Sequence, residues 1–243
     1  MKREKRGFLM IITGLTGYGD SHIQTVNLIY TILNSYNIKV SILDCRSLKE
    51  VNTLRSYIHE IKKNRSDFLI LKIDPNNFEL GLLDYFQLDI ILHNNETDPI
   101  YEWDVHDYSE NLGKLLPSLN EKGTIILNED FIIVSSFIKN LKYSTVTYGF
   151  NSKAEVTTSS ISDTLFGKEF IFYQQKIIKA IDGRIINPQE YRMNIDKINM
   201  NIYTIFGAIT FALVCGIDLS YNLPFTTVLH GTGLSSSYEN NYL

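Results

Sequence analysis

The sequence predicts an α/β fold: a mostly parallel sheet flanked by helices, with a small antiparallel β patch in the C-terminal third. Three observations carry this expectation. Between residues 7 and 149, short apolar runs alternate with segments of helical spacing. Each run is apolar throughout, the pattern of a strand buried on both faces. After Gly149 the alternation stops, and strand-like segments follow one another around an Asp-Gly turn signal.

Gly7 to Thr13 reads as the first strand, with Phe8 to Ile12 as its apolar centre. Gly14 to Ser21 breaks it, and Asp20 or Ser21 suits the N-cap of the helix that follows. That helix, His22 to Ser35, repeats apolar residues at Ile23, Val26, Ile29, Tyr30 and Leu33. Lys39 to Leu43 is a second strand, and Val51 to Lys63 is a helix with Leu54, Ile58 and Ile61 on one face. Phe68 to Ile73 and Leu88 to Leu92 are the next strands, and Tyr108 to Leu119 is a helix. Thr124 to Leu127 is a strand, Phe131 to Leu141 a helix and Ser144 to Tyr148 a strand. In the last third, Glu155 to Ile161 and Glu169 to Ile178 read as strands. Arg184 to Ile186 returns from the Asp182-Gly183 turn as part of a hairpin. A long helix, roughly Asn199 to Cys215, is closed by Gly216. From Asn222 onward the chain is rich in Ser, Thr, Gly and Asn and reads as an irregular tail. The expected division is one domain at 7–221 and a tail at 222–243.

Composition narrows the function classes. A net charge of −4 gives no general drive toward nucleic acid or anionic membrane. Cys45 and Cys215 sit far apart in apolar contexts, so buried thiols are expected rather than a disulfide, and no zinc spacing exists. The start lacks the apolar run and cleavage site of a signal peptide. The most apolar stretch, Ile202 to Ile217, is bracketed by Asn201 and Asp218. It falls short of the roughly 18–20 residues that a membrane span needs, so a buried helix and a cytoplasmic location are expected.

Several segments, in order, resemble the ATP-binding middle domain of the Mur ligases. Ile12-Thr13-Gly14-Leu15-Thr16-Gly17 is similar to the family's strand into its phosphate loop. Phe68 to Asp74 resembles its glutamate-bearing strand, Glu79-Leu80-Gly81 the following turn, and Leu88 to Asn94 the strand ending in threonine-asparagine. Gly123 to Asp130 resembles the strand ending in asparagine and aspartate, and Thr145 to Gly149 the next one. Asn201-Ile202-Tyr203 with Ala208, Ala212 and Gly216 is similar to the asparagine-led helix beside the nucleotide. The resemblance covers most of residues 7 to 220 and implies a P-loop-like middle-domain fold. The resemblance covers the middle domain alone, so the family's N- and C-terminal domains are expected to be missing. Its members join an amino acid to a carboxylate through an acyl phosphate, mostly in peptidoglycan assembly, using ATP and magnesium.

On that resemblance the expected nucleotide-binding residues are Gly14, Thr16, Gly17, Ser21 and Asn201, and the expected metal ligands are Asp74 and Asp98. A phosphate loop needs glycines for close backbone approach, a lysine for charge and a hydroxyl for magnesium. Here Tyr18 stands at the lysine position and Gly19 at the hydroxyl position, while Asp20 adds negative charge. Ser21 serves as the hydroxyl only if the loop shifts by two residues. The family's strand-end glutamate is matched by Lys72, whose charge opposes a metal; Asp74, on the same side of the strand, is a substitute ligand or, in the preferred reading, ends the strand before Pro75. Asp98 matches the family's aspartate, but Pro99 stands where a metal-binding histidine belongs. The run Glu102, Asp104, His106 and Asp107 reads as a solvated acidic loop, Trp103 as a packing anchor and Lys114 as a surface lysine. Asn201 is equally an ordinary N-cap. His230-Gly231-Thr232-Gly233 has no strand before it or helix after it, so it is not read as a phosphate loop.

The expectation is therefore a non-catalytic Mur-ligase-like protein that uses its scaffold to bind a protein partner or a second copy, within cell-envelope synthesis. ATP and magnesium are implied by the resemblance alone, with weak or no binding expected. The competing expectation is an ATP-dependent acid–amino acid ligase with a rearranged site completed by a partner. A dinucleotide binder is a third reading: Gly14, Gly17 and Gly19 lack the G-x-G-x-x-G order, but Asp44 ends the second strand where an acid holds a ribose.

Overall fold

A computed structural model describes residues 10–17, 21–47, 51–74, 86–94, 110, 112–131, 141–164, 167–196 and 200–219. The apolar runs become strands β1 (Ile11–Thr16), β2 (Val40–Asp44), β3 (Phe68–Ile73), β4 (Leu88–His93), β5 (Leu119–Asn128) and β6 (Ser144–Tyr148). They join β7 (Val156–Asp163), β8 (Gly167–Gln174) and β11 (Gln189–Asp196) in a nine-stranded sheet of order β11-β8-β7-β6-β5-β4-β1-β3-β2. From β2 to β7 all pairs are parallel, while β8 is antiparallel to both β7 and β11. A separate two-stranded sheet pairs β9 (Ile178–Lys179) with β10 (Ile185–Ile186).

Strand β1 lies between β3 and β4. The dinucleotide-binding arrangement sets the second strand beside the first, so this order removes the dinucleotide reading. The chain leaves β1 in one direction for β3 and β2 and in the other for β4 onward. The C-terminal end of β1 is therefore the switch point at which open α/β sheets form their binding crevice.

Both sheet faces are covered. One core joins Leu15, Ile42, Phe68, Ile70, Ile90, Leu92, Ile126, Val146 and Tyr148 to helices α1 (Ser21–Ser35) and α3 (Ile202–Val214). The other joins Leu43, Leu69, Leu71, Ile73, Ile91, Ile125 and Leu127 to α2 (Val51–Lys63) and to Leu112 and Leu115. Alternation along each strand sorts its side chains between these two cores. Helix α3 is apolar all round and has eleven of its thirteen residues buried, from Thr204 to Val214. No helix among the described residues is long and apolar enough to cross a membrane. Cys45 and Cys215 are buried free thiols, as expected, and burial pushes both well up from the ordinary thiol range, Cys45 to about 12.

The structure departs from the sequence reading in several places. Strand β1 does not stop before Gly14. It runs to Thr16, because Gly14 and Thr16 keep ladder register with Leu71 and Ile73 on one side and Ile91 and His93 on the other. Strand β5 begins at Leu119 rather than Thr124. Its pairing to β4 jumps between Leu88 and Ile90, where Asp89 accepts hydrogen bonds from Ile12 N (2.9 Å) and Asn120 Nδ2 (2.6 Å). The segment expected as one strand from Glu169 to Ile178 divides, since Gln174 Nε2 donates to the carbonyls of Lys176 (2.9 Å) and Ile186 (2.8 Å) and turns the chain. The hairpin return is confirmed, with Gly183 at φ +87°. Strand β11 was not expected: Pro188 and the charges of Glu190 and Arg192 hid the alternation of Tyr191 and Met193, which are buried against β8. The last helix starts at Ile202 rather than Asn199, and Gly216 follows it at φ +74°. Residues 112–115 are helical and 116–118 form a 3-10 turn, so the expected helix ends before Leu119. Most of the helix expected at Phe131 to Leu141 and all of the tail lie outside the described residues.

Candidate functional site

The crevice is bounded by the strand ends after β1, β3, β4, β5 and β6 and by the start of α3. At β1, Gly14 is buried inside the strand. A Cβ there would meet Leu88 Cδ1 at 2.9 Å and Ile73 Cδ1 at 3.2 Å, so its small size serves packing beneath the crevice. Thr16 is the last residue of β1; its hydroxyl is buried without a hydrogen-bond partner among the described residues. Gly17 lies at the crevice itself. A Cβ there would overlap the Asn94 carbonyl, while Asn94 N donates to Thr16 O at 2.9 Å. Glycine at 17 is what lets the β4 end close against the β1 end. Ser21 opens α1. Tyr18, Gly19 and Asp20 lie outside the described residues, as do Glu79 to Gly81, Asp98, Pro99 and the run from Glu102 to Asp107.

At the end of β4, Asn94 is fully buried and forms a chain that sequence reading did not reveal. Its Nδ2 donates to Thr25 Oγ1 on α1 (2.6 Å), and its Oδ1 accepts from Tyr148 Oη on β6 (2.7 Å). Gly207 of α3 packs over this pair, with room for a Cβ only at 3.5 Å from the Asn94 amide. One asparagine thus ties helix α1 and strand β6 to the switch point. The one signal for it was a polar Thr25 inside an apolar helical stripe. On the opposite sheet face, His93 is the Cα partner of Thr16 and is buried, which pushes its imidazole down to about 3, so that it stays neutral.

The ends of β5 and β6 are bound to the start of α3. Asp130 accepts from the backbone N–H groups of Phe150 (2.7 Å) and Asn151 (2.6 Å) and from Tyr203 Oη (3.1 Å). Gly149, at φ +149°, passes so near that a Cβ would stand 2.7 Å from the Asp130 carboxylate. Asn201 is the N-cap of α3, accepting from Tyr203 N at 2.9 Å. Phe150 is half exposed and packs edge-on against Tyr203 and Phe206.

At the end of β3 a cation takes the strand-end position. Lys72 is buried, and its Nζ lies 3.1 Å from Asp44 Oδ2 at the end of β2. Arg46 closes on the same carboxylate through Nε (3.0 Å) and Nη2 (2.6 Å). Burial alone would raise the Asp44 carboxyl, but the hydrogen bonds from Arg46 and Lys72 outweigh it and hold the group at about 2. Asp44, read from sequence as a ribose ligand, is therefore engaged by two cations. Asp74 follows β3 half buried, and no group of three metal-ligating side chains occurs among the described residues. A divalent metal binds where carboxylates converge, whereas here an ammonium stands at the strand end. These residues do not fit the magnesium that the fold implies.

No family profile matches the chain. The chain is 26% identical over 149 residues to UDP-N-acetylmuramate–L-alanine ligase of Buchnera aphidicola subsp. Baizongia pistaciae, covering 60% of this chain and 29% of that enzyme. Among solved structures it resembles UDP-N-acetylmuramoyl-L-alanyl-D-glutamate–2,6-diaminopimelate ligase with a TM-score of 0.67 at 18% identity, covering 87% of this chain and 44% of that one. It also resembles MurF ligase from Thermotoga maritima in complex with ADP, with a TM-score of 0.56 at 13% identity, covering 86% and 46% of the two chains. The chain spans less than half the length of each of these ligases. In fold, this chain resembles the middle portion of these longer Mur ligases.

Proposed function

We propose that this chain is a non-catalytic Mur-ligase-like domain that keeps the scaffold for binding and has given up magnesium-dependent ATP chemistry. The observation that carries the reading is Lys72: a buried ammonium paired to Asp44 stands where the fold needs a metal-binding carboxylate. The substitutions Tyr18 for lysine and Pro99 for histidine point the same way. The internal bonding of the crevice supports it too, since the Asn94 side chain is spent on Thr25 and Tyr148, and Asp130 on the loop after β6 and on Tyr203. The relatives that it resembles are by name ligases acting on UDP-N-acetylmuramate and UDP-N-acetylmuramoyl-L-alanyl-D-glutamate, which makes a binding role in cell-envelope (peptidoglycan) synthesis, in the cytoplasm and with a protein partner or second copy, the reading to pursue. The domain is proposed to span 7–221, with 222–243 as a tail.

Phosphate release from ATP by the purified chain tests this. The expected rate with magnesium equals the rate of a Gly17→Val control. Magnesium-dependent turnover that Gly17→Val abolishes would overturn the reading and favour a ligase with a rearranged site around Ser21, Asp74 and Asp98.

A further inference from the structure

Strand β11 ends the nine-stranded sheet, and its outer edge carries an ordered pattern of charge. Among the described residues it pairs with β8 alone, over eight residues and without a register shift. No backbone group of β11 is hydrogen-bonded to other backbone outside that ladder among the described residues. Such an edge is a template for one more strand, and it is commonly blunted by a proline, a bulge or short length. Pro188 stands just before the strand, and none of these devices interrupts Gln189 to Asp196. Tyr191 and Met193 face the core, 2% and 4% exposed. Glu190 and Arg192 stand on the opposite face and are exposed. Arg192 reaches Glu169 of β8 only at 3.7 Å, and Glu190 has no ion pair among the described residues. These charges discourage most incoming strands, but not one whose charges run in the opposite order.

We propose that this edge binds the same edge of a second copy, β11 antiparallel to β11 about a two-fold axis at Tyr191. A two-fold contact sets one surface against itself, so the strand must be its own complement. The buried faces must stay on one side of the joined sheet, so the pairing can slip only in steps of two residues. With Tyr191 on the axis, Glu190 of each copy lies directly opposite Arg192 of the other. A slip of two residues sets Arg192 against Arg192 in one direction and Glu190 against Glu190 in the other. Unlike charges directly opposite favour a strand pair, and like charges oppose it. The charges thus select one register over its neighbours and this chain as its own partner. The proposal rests on the binding role given above and names the partner for it. The contact is a narrow ribbon, below the size of a standard stable interface, so a reversible dimer is expected rather than a permanent one.

The test is sedimentation equilibrium of the full chain at low salt, from about 1 to about 100 μM, a range that resolves a reversible dimer. Glu190→Arg sets Arg against Arg across the axis, and Arg192→Glu sets Glu against Glu. Each variant alone is expected to dimerise at least tenfold more weakly than the parent. Mixed in equal amounts, the two variants again set Arg against Glu at both pairs, and association is expected to return to within about threefold of the parent. Recovery on mixing is a result that an unrelated contact does not predict. If Arg192→Glu fails to fold beside Glu169, salt decides the matter: sodium chloride should weaken the parent dimer and strengthen that of Glu190→Arg. A parent that stays monomeric at about 100 μM, single reversals that dimerise like the parent, folded variants that do not associate on mixing, or the same response to salt in parent and Glu190→Arg would each overturn the proposal. Failure here leaves the non-catalytic reading standing, since that reading falls to magnesium-dependent ATP turnover and to nothing in this measurement.

Discussion

Replacing Tyr148 by Phe removes one hydroxyl from a fully buried site, and the structure gives the cost. Tyr148 Oη donates to Asn94 Oδ1 at 2.7 Å, and both side chains have no exposed surface. The ring stays, stacked near Phe206, so no cavity the size of a methyl group forms. The loss is thus the desolvation of an acceptor left without its donor, about 1–3 kcal/mol. The Asn94 amide is held from the other side by Thr25 and cannot turn to recover a partner without giving up that bond. We expect about 2 kcal/mol, equivalent to a fall of roughly 4–8 °C in Tm for a chain of this size. Urea unfolding followed by circular dichroism, with an unchanged m-value, is the assay. In an Asn94→Ala background the same substitution should cost clearly less, because the Asn94 acceptor is already gone and the long contact from Tyr148 Oη to the His93 carbonyl (3.4 Å) is what is lost. A loss below about 0.5 kcal/mol in the parent, or the same loss in both backgrounds, would refute the argument that Asn94 joins α1 and β6 through a coupled chain.

His93 makes stability fall in mild acid. Its imidazole is pushed down to about 3 by burial, so as pH falls below the ordinary value near 6.5 the unfolded chain takes up a proton that the folded chain refuses. Stability is full above that value and is lost by about 1.4 kcal/mol per pH unit below it, or about 2 kcal/mol between pH 7 and 5. His93→Gln should flatten that part of the curve by the same amount, and parallel curves for the two chains would contradict the assignment. The Asp44 carboxyl, held at about 2, acts only lower down, its contribution being lost as pH falls from about 4 toward 2. At the start of α3, Asn201→Ala should cost about 1 kcal/mol by thermal unfolding, and Asn201→Asp or Asn201→Ser should recover most of it. A substitution that lowers nucleotide affinity but leaves Tm unchanged would instead mark Asn201 as a ligand contact.

The sequence was most legible where one pattern acted alone. Val51–Lys63, Phe68–Ile73 and Ser144–Tyr148 match the expected bounds because a single apolar period and clear flanks defined each. It misled at Gly14, where glycine reads as a break, but neighbouring strands on both sides hold the residue in ladder register and Leu88 and Ile73 crowd the missing Cβ. Strand β11 was invisible because its exposed face is charged and only tertiary packing buries Tyr191 and Met193. The same limit governs the site. Lys72 was legible as a charge in the wrong place, but its partner Asp44 is 28 positions away and becomes a neighbour only because β2 pairs with β3 at the sheet edge. Asn94, Thr25 and Tyr148 come from three separate elements, and nothing in their spacing announces a shared hydrogen-bond chain.

The central question is whether this crevice works through a divalent metal. A calorimetric titration of ATP into the purified chain, run once in EDTA and once in millimolar magnesium, addresses it directly. With Lys72 paired to Asp44 at the strand end, magnesium should leave ATP affinity unchanged or weaker. An affinity that rises tenfold or more with magnesium would contradict the account and restore a metal-dependent ATP site to this fold.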